Sequence, residues 1–358
     1  MSSNNLKSIL ENFEIETNIE PYGNGHINDT YLCQSNPGYI LQRININVFK
    51  HPDEVMKNIV SVTRHLRSKI EKNDGDPERE TLNVVRTKTG KDFYMADSDN
   101  YYRMYKYIDN TIGYDIVENP RQLREAGKAF GRFQRMLDDF KVEDLYETIP
   151  HFHYTPDRVD QLNAAIKKNY NNRAKNIQPE IDTAIKYSKY APVIVEEMEK
   201  GTVPNRVTHN DTKLNNVLFD KDTDKAICVI DLDTVMGGSL LYDYGDALRF
   251  GASSAQEDET DLDKVYFDLE KFEEFTRGFL GEVGSCLTQK EIELLPVSVL
   301  ILTYECGIRF LADYLNGDVY FKIHREHHNL DRARTQLKLV EDIESKFDKM
   351  EGIVKKYL

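Results

Sequence analysis

Residues 207–219 read Val207-Thr208-His209-Asn210-Asp211-Thr212-Lys213-Leu214-Asn215-Asn216-Val217-Leu218-Phe219, and a short hairpin later comes Ala226-Ile227-Cys228-Val229-Ile230-Asp231-Leu232-Asp233. Two apolar strands flank a polar loop of the pattern H-x-D-x-K-x-x-N, and the last strand ends in D-x-D. Transfer of a phosphoryl group from a nucleotide needs such a set of parts. One carboxylate must orient the attacking hydroxyl and accept its proton. A neutral oxygen ligand and a second carboxylate must hold Mg²⁺ against the phosphates. A single Asp in such a place is ordinarily a cap or turn residue. The joint spacing, an Asp five residues before an Asn and a further Asp at a strand end, is what points to chemistry.

Outward from this β island, residues 205–234, the chain is mostly helical. Asn119-Pro120 and Thr155-Pro156 each read as an N-cap followed by proline in the first turn. The helix after Asn119 is expected to bury Ala126, Phe130, Phe133 and Leu137. Thr288 and Glu291 make a capping box before an apolar helix near 292–304, and Leu339, Ile343, Phe347, Met350 and Val354 predict one final helix. The first hundred residues differ, reading as a β-rich unit with one helix. The stretch 18–33 is extended and broken at Gly23-Asn24-Gly25, and Tyr39–Arg43 is a strand. His51-Pro52-Asp53 opens a helix reaching about Lys69. Segments 81–87 and 91–96 suggest a hairpin around Thr89-Gly90, and Tyr101–Ile108 is a tyrosine-dense strand. The expected fold is α+β and bilobal. Residues 1–107 form a small antiparallel β-sheet lobe that binds nucleotide, and residues 108–358 a larger, mainly helical lobe with the catalytic loop and acceptor site.

Composition narrows the partners. The 358 residues carry 47 basic and 61 acidic side chains, a net charge of -14, which argues against wrapping nucleic acid. The most apolar stretch, Leu294–Tyr304, is about half of the roughly 20 residues a spanning helix needs, so no membrane is expected. The N-terminus lacks the basic-then-apolar pattern of a signal peptide. Cys33, Cys228, Cys286 and Cys306 lie far apart without a disulfide or metal spacing, as in reduced thiols of a cytoplasmic protein. The aromatics are 21 Tyr and 16 Phe with no Trp.

The catalytic strings resemble those of the aminoglycoside phosphotransferase and choline kinase superfamily, the small-molecule branch of the protein-kinase-like fold. Within it, the run from Glu20 to about Arg334 is similar to the sugar kinases that phosphorylate N-acetylhexosamines at the anomeric position. Stretches 20–28, 208–216, 230–234, 249–253, 305–315 and 317–321 carry that likeness. The resemblance implies that Asp211 is the catalytic base, Asn216 a metal ligand and Asp231 the principal Mg²⁺ carboxylate. His209 matches a residue that braces the loop, and Asp243 one that ties it down. Lys213, two after the base, is where a cation would neutralise the transferring phosphoryl, a solvated lysine being the alternative. Asp233 is a candidate support for the metal shell.

Gly23, Asn24 and Gly25 form a turn whose backbone N–H groups would approach phosphates, although a plain hairpin has the same pattern. His26 at its tip would meet the γ-phosphate or the acceptor, and the resemblance favours the sugar. One departure stands out. Where kinases place a phosphate-pairing lysine, this chain has Gln42 with Arg43 next, and strand alternation lets only one face inward. The usual Lys–Glu pair is therefore not expected, and Glu54 is not assigned to it. The adenine would dock near Tyr105–Asp109, with Tyr107, mainly through backbone groups. Arg309, on an apolar helix segment, is either ion-paired to Asp313 or Glu305 or a ligand contact. The resemblance favours a sugar contact for it, and for Tyr320 and Phe250, with Asp318 a similar case. His324, His327 and His328 sit in charged surroundings that suit a solvated segment better than a metal site.

What the resemblance implies is ATP- and Mg²⁺-dependent conversion of GlcNAc or GalNAc to the sugar 1-phosphate, in amino-sugar salvage. The partners are then ATP and the N-acetylhexosamine, with no nucleic acid, membrane or obligate protein partner. The alternatives are a kinase of the same fold acting on an aminoglycoside, choline, homoserine or another sugar, and an inactive nucleotide-binding scaffold.

Overall fold

In a computed structural model describing residues 3–23 and 27–358, with side chains from Leu6 onward, the chain begins with α1 (Ser3–Leu10). Strands β1 (Ile19–Pro21), β2 (Asp29–Cys33) and β3 (Tyr39–Ile44) follow, then α2 (Pro52–Lys72) and the single turn α3 (Pro77–Glu80). Next come β4 (Val84–Val85), β5 (Tyr94–Asp97), β6 (Asn100–Lys106) and β7 (Thr111–Ile112). Helices α4 (Pro120–Met136), α5 (Thr155–Lys168), α6 (Gln178–Tyr187) and α7 (Val193–Glu199) lead to strands β8 (Arg206–Thr208), β9 (Val217–Asp220) and β10 (Ala226–Val229). The chain closes with α8 (Leu240–Gly251), α9 (Leu269–Val283), α10 (Gln289–Asn316), α11 (His328–Ser345) and α12 (Phe347–Lys356). Two compact units result. One comprises residues 1–113, 136–150 and 216–237, the other residues 114–135, 151–215 and 238–358. A small antiparallel sheet unit and a larger helical unit make up the protein-kinase-like bilobal fold.

In the first unit the main sheet has the order β1-β2-β3-β6-β4, with β5 also on β6, and every pairing is antiparallel. Period-two alternation sorts its side chains. Leu41, Tyr102 and Met104 face one way and pack with Leu6, Ile9, Leu10 and Phe13. The N-terminal helix therefore covers one face of the sheet, a role that the sequence reading did not give to those residues. Gln42 and Arg103, paired across β3 and β6, occupy the opposite face. The expected hairpin at 81–96 is different in the structure. Val84–Val85 pairs with Met104–Tyr105, and Tyr94–Met95 with Tyr101–Tyr102, so β4 and β5 follow one edge of β6 in succession. Thr87 takes the turn, its N–H bonding Lys91 O at 2.8 Å. A second small sheet has the order β10-β9-β7.

In the helical unit, α10 continues past the expected end near 304 to Asn316, because Ile308, Leu311 and Leu315 extend its buried face. Its length and composition are those of a spanning helix, yet Leu300, Ile301, Ile308 and Leu315 are fully buried within the unit. The capping box forms as expected, Thr288 accepting from Glu291 N and Glu291 from Thr288 N. Thr155 does not cap α5. Its hydroxyl donates instead to Glu305 Oε2 at 2.7 Å, and Tyr154 takes the cap position. The single last helix expected from Leu339 to Val354 is two helices, broken at Lys346, whose ammonium reaches Phe267 O at 2.7 Å.

Candidate active site

The loop after β8 is fixed by carboxylates from α8. Asp243 accepts from His209 N at 2.9 Å, Asn210 N at 2.7 Å and Gln134 Nε2 at 2.5 Å. Burial pushes the Asp243 carboxyl up, against the pull of His209 and these donors. One helical turn on, Asp246 accepts from Thr212 N at 3.0 Å and is held by Arg249, which also reaches Glu257. His209 is buried edge-on to Phe130 and Phe133, and its Nδ1 accepts from Asp211 N at 3.3 Å. Both residues expected to secure the loop thus do so through its main chain.

Asn210 has a left-handed φ of 66°, which turns its carbonyl toward His153. That ring has Nε2 3.0 Å from Asn210 O and Nδ1 2.9 Å from Glu305 Oε1. With an acceptor at each nitrogen, the pairing favours the imidazolium form of His153. Burial alone would lower its pKa, and Glu305 overcomes that and raises it. Asp211 is half-buried, with Oδ1 2.8 Å from Lys213 Nζ. Burial would raise the Asp211 pKa, but the Lys213 charge outweighs it and holds the carboxyl below its ordinary value.

The other unit carries the D-x-D end of β10. Ile230 N donates to Asn216 O at 2.9 Å, which couples the two expected metal ligands through the backbone. Asp231 adopts φ 58°, ψ 60°, a left-handed conformation that Asp tolerates better than most residues, and it is exposed. Asp233, two residues on, is buried and ion-paired with Arg103. Among the described residues no three His, Cys or acidic groups converge as a metal cage. An amide oxygen and one exposed carboxylate nonetheless suit Mg²⁺, which keeps several ligand positions for water and phosphate oxygens.

Of the remaining phosphate-side candidates, Gly23 has φ 73° with no described atom within 4 Å of where a Cβ would stand, whereas Asn24, Gly25 and His26 lie outside the described residues. Gln42 donates to Thr30 Oγ1 at 3.1 Å and accepts from Arg103 Nε at 2.9 Å. Arg43, on the opposite face, is bound by Asp29 at 2.7 Å and Asn100 at 3.2 Å. Tyr107 N bonds Gly38 O at 2.9 Å, and its hydroxyl lies 3.5 Å from that of Tyr22, which with burial pushes the phenol up to about 12.

On the acceptor side, Asp313 receives the N–H groups of Val319, Tyr320 and Phe321, while Glu305 is engaged by His153 and Thr155. Arg309 therefore has no ion pair among the described residues, and its guanidinium lies 5.6 Å from the Phe321 ring. Burial and the nearby Arg309 charge push Arg158 down. Tyr320 is 72 % exposed and edge-on to Phe321. Phe250 is half-buried at the end of α8. Asp318 is bound by Arg173 and Asn329. His328 pairs with Asp258 at 3.0 Å and accepts from His324 N at 3.2 Å.

Sequence reasoning passed over Arg103, His153 and Arg158. For Arg103 a signal existed, since a lone charge inside Tyr101-Tyr102-Arg103-Met104-Tyr105 must find a partner once buried. The model of the phosphotransferase enzyme family matches residues 18–275. The fold is similar to a microcompartment-associated aminopropanol kinase, at 14% identity and TM-score 0.61 over 98% of this chain and 99% of that one. It is also similar to an aminoglycoside phosphotransferase from Alicyclobacillus acidocaldarius, at 9% identity and TM-score 0.62 over 98% and 96%. A spectinomycin phosphotransferase in complex with ADP and spectinomycin matches at 17% identity and TM-score 0.55 over 98% and 99%. With the family match spanning most of the chain and including the Asp211 and Asp231 strings, the protein belongs to the phosphotransferase enzyme family.

Proposed function

We propose that this phosphotransferase transfers the γ-phosphoryl group of ATP to the anomeric hydroxyl of an N-acetylhexosamine, GlcNAc or GalNAc, in a cytoplasmic setting that keeps its cysteines free. Asp211 accepts the hydrogen bond of the sugar 1-hydroxyl and orients it. The sugar oxygen forms its bond to the γ-phosphorus as the bond to the β,γ-bridging oxygen breaks, the hydroxyl proton passes to Asp211, and ADP leaves. Lys213 keeps the base ionised and oriented. Asn216 and Asp231 would hold Mg²⁺, which when bound offsets the charge on the phosphates. Gly23, Asn24, Gly25, Gln42 and Tyr107 are assigned to the nucleotide, with Arg43 a weaker candidate because Asp29 and Asn100 already bind it. His26, Phe250, Arg309 and Tyr320 are assigned to the sugar.

The observation that carries the acceptor class is the pair of neighbouring cations Arg158 and Arg309 beside the aromatics Tyr320 and Phe321. Guanidinium groups donate to hydroxyl and acetamido oxygens, and aromatic rings cover a sugar's apolar face. An ammonium-bearing acceptor would meet like charge there. A second reading, an amino alcohol or aminoglycoside, draws on the aminopropanol and spectinomycin phosphotransferases of this fold. Phosphorus NMR of the protein with ATP, Mg²⁺ and a panel of acceptors separates the two. A sugar 1-phosphate signal with ADP is expected. A 6-phosphate, or turnover with amines alone, defeats the proposal.

A further inference from the structure

The cation absent from position 42 is present on the neighbouring strand. Arg103 lies directly opposite Gln42 and is 1% exposed. Its Nε donates to Gln42 Oε1, its guanidinium pairs with Asp233, and it lies 5.3 Å from the Tyr105 ring. Asp233 does more than neutralise it. Asp233 Oδ2 accepts from Asn28 Nδ2 at 2.7 Å, and Asn28 Oδ1 accepts from Asn45 N at 3.0 Å. Asn28 lies just before β2, which pairs with β1, and Tyr22 N is bonded to Thr30 O beside it. On its other side Asp233 belongs to the tight turn Leu232–Thr234 that follows Asp231. That turn is secured from α2, where Asn58 Nδ2 donates to Val235 O at 3.0 Å.

We infer that Arg103 and Asp233 are a positioning pair that locks Asn28, at the entry to β2, and the Asp231 turn into one register for a Mg²⁺-bound nucleoside triphosphate. The inference rests on the phosphotransferase reading and goes beyond it. The pair divides the D-x-D motif. Asp233 is turned inward to a buried guanidinium, and Asp231 remains the exposed carboxylate. A buried ion pair adds little net stability over an apolar pair of similar volume, whereas losing one partner strands a charge. Specifying where Asn28 sits relative to the Asp231 turn accounts for retaining it. In protein kinases a Lys–Glu pair must be in place. Here a guanidinium one strand over serves, with Gln42 Oε1 accepting from its Nε.

The test measures binding of Mg²⁺ with a non-hydrolysable ATP analogue by calorimetry, with no acceptor present, alongside thermal unfolding. The double variant Arg103→Met/Asp233→Leu removes the pair without stranding a charge and is expected to fold. Its affinity for the Mg²⁺–nucleotide should fall at least about tenfold, the scale seen when groups supporting metal ligands are lost. The Asn28→Ala variant leaves the ion pair intact, cuts the bonds of Asn28 to Asp233 and Asn45 N, and should lose affinity about threefold or more, on the scale of a hydrogen bond. In turnover both should raise KM for ATP and leave KM for the acceptor unchanged. Wild-type affinity in Asn28→Ala, or in a folded double variant, overturns the inference. Should the double variant fail to fold, the Asn28→Ala result decides alone. A wild-type protein that binds no Mg²⁺–ATP analogue defeats this inference and the phosphotransferase reading together, while binding lost only in the variants, without sugar turnover by wild type, defeats the acceptor assignment alone.

Discussion

Asp211 shares Oδ1 with Lys213, and that contact sets what kind of base Asp211 would be in the proposed reaction. A carboxylate held below its ordinary pKa is a weak proton acceptor at neutral pH, so orientation of the hydroxyl matters more than early proton removal. That suits a loose phosphoryl-transfer transition state, in which the nucleophile needs little activation. Asp211→Asn is expected to lower kcat by at least about two orders of magnitude with little change in nucleotide affinity, measured by steady-state kinetics. Lys213→Met should shift the acid limb of the kcat/KM profile upward. The depressed Asp211 pKa keeps activity until the pH falls through that low value, and without the lysine the loss begins at higher pH. His153 works in the opposite sense. Its pKa is raised in the folded protein, so the stabilisation is complete below the unfolded value of about 6.5 and is lost as the pH rises through the folded value. The Tm difference between wild type and His153→Gln should therefore shrink on going from about pH 6 to above the folded pKa. A difference constant across that range would show that the ring is not charged. The Asp–Asn–Asp spacing was legible in the sequence because it is local. His153 was not, because its partners Glu305 and Asn210 are distant in sequence and only the fold brings them to one imidazole.

At the level of elements, α4 and α9 cross where side chains are absent. A Cβ on Gly127 would lie 2.3 Å from Phe275 O, and one on Gly278 would lie 2.1 Å from Arg124 O. These are backbone contacts, so no rotamer change relieves them. Gly127→Ala or Gly278→Ala should destabilise by about 1–3 kcal/mol in urea unfolding. Gly281→Ala, on the same helix with nothing within 4 Å, should be neutral or stabilise by up to about 1 kcal/mol, as expected for alanine replacing glycine in a helix. Equal losses at all three sites would show that helix propensity and not the close crossing governs. The apolar face of α4, Ala126, Phe130 and Phe133, continued by Leu137 just past its end, was readable from periodicity, since all four are buried. The crossing was not, because glycine carries no hydrophobic signal. The same physics explains the other differences. The break at Lys346 leaves the apolar period intact, so Leu339 to Val354 reads as one helix although Lys346 turns to Phe267 O. A β4–β5 hairpin and two strands sharing the edge of β6 have the same alternation, and only the pairing partner differs.

Over the whole molecule, the charge of -14 is a field that acts on substrates before any contact forms. Bilobal architecture and phosphotransferase chemistry were legible because one short string carries both. In the proposed reading, acceptor identity rests on side chains from separate helices, Arg158 on α5 and Arg309 on α10, whose proximity no spacing reveals. Charge offers a way to read that identity in solution. Attraction between an acidic protein and a cationic acceptor weakens as salt shortens the Debye length from about 30 Å at 0.01 M to about 8 Å at 0.15 M. A neutral acceptor has no net charge on which this field can act. With Mg²⁺–ATP saturating at each salt concentration, kcat/KM for GlcNAc or GalNAc should therefore stay within about twofold between about 0.02 and 0.3 M KCl. An amino alcohol or aminoglycoside acceptor steered by the same field should lose about tenfold or more over that range. Holding the nucleotide saturating matters, since Mg²⁺–ATP is an anion and its own association should strengthen as its repulsion by the protein is screened. Efficient turnover that falls steeply with salt would transfer the assignment to an ammonium-bearing acceptor, and Arg158 and Arg309 would then be packing groups of α5 and α10 and not its recognition site.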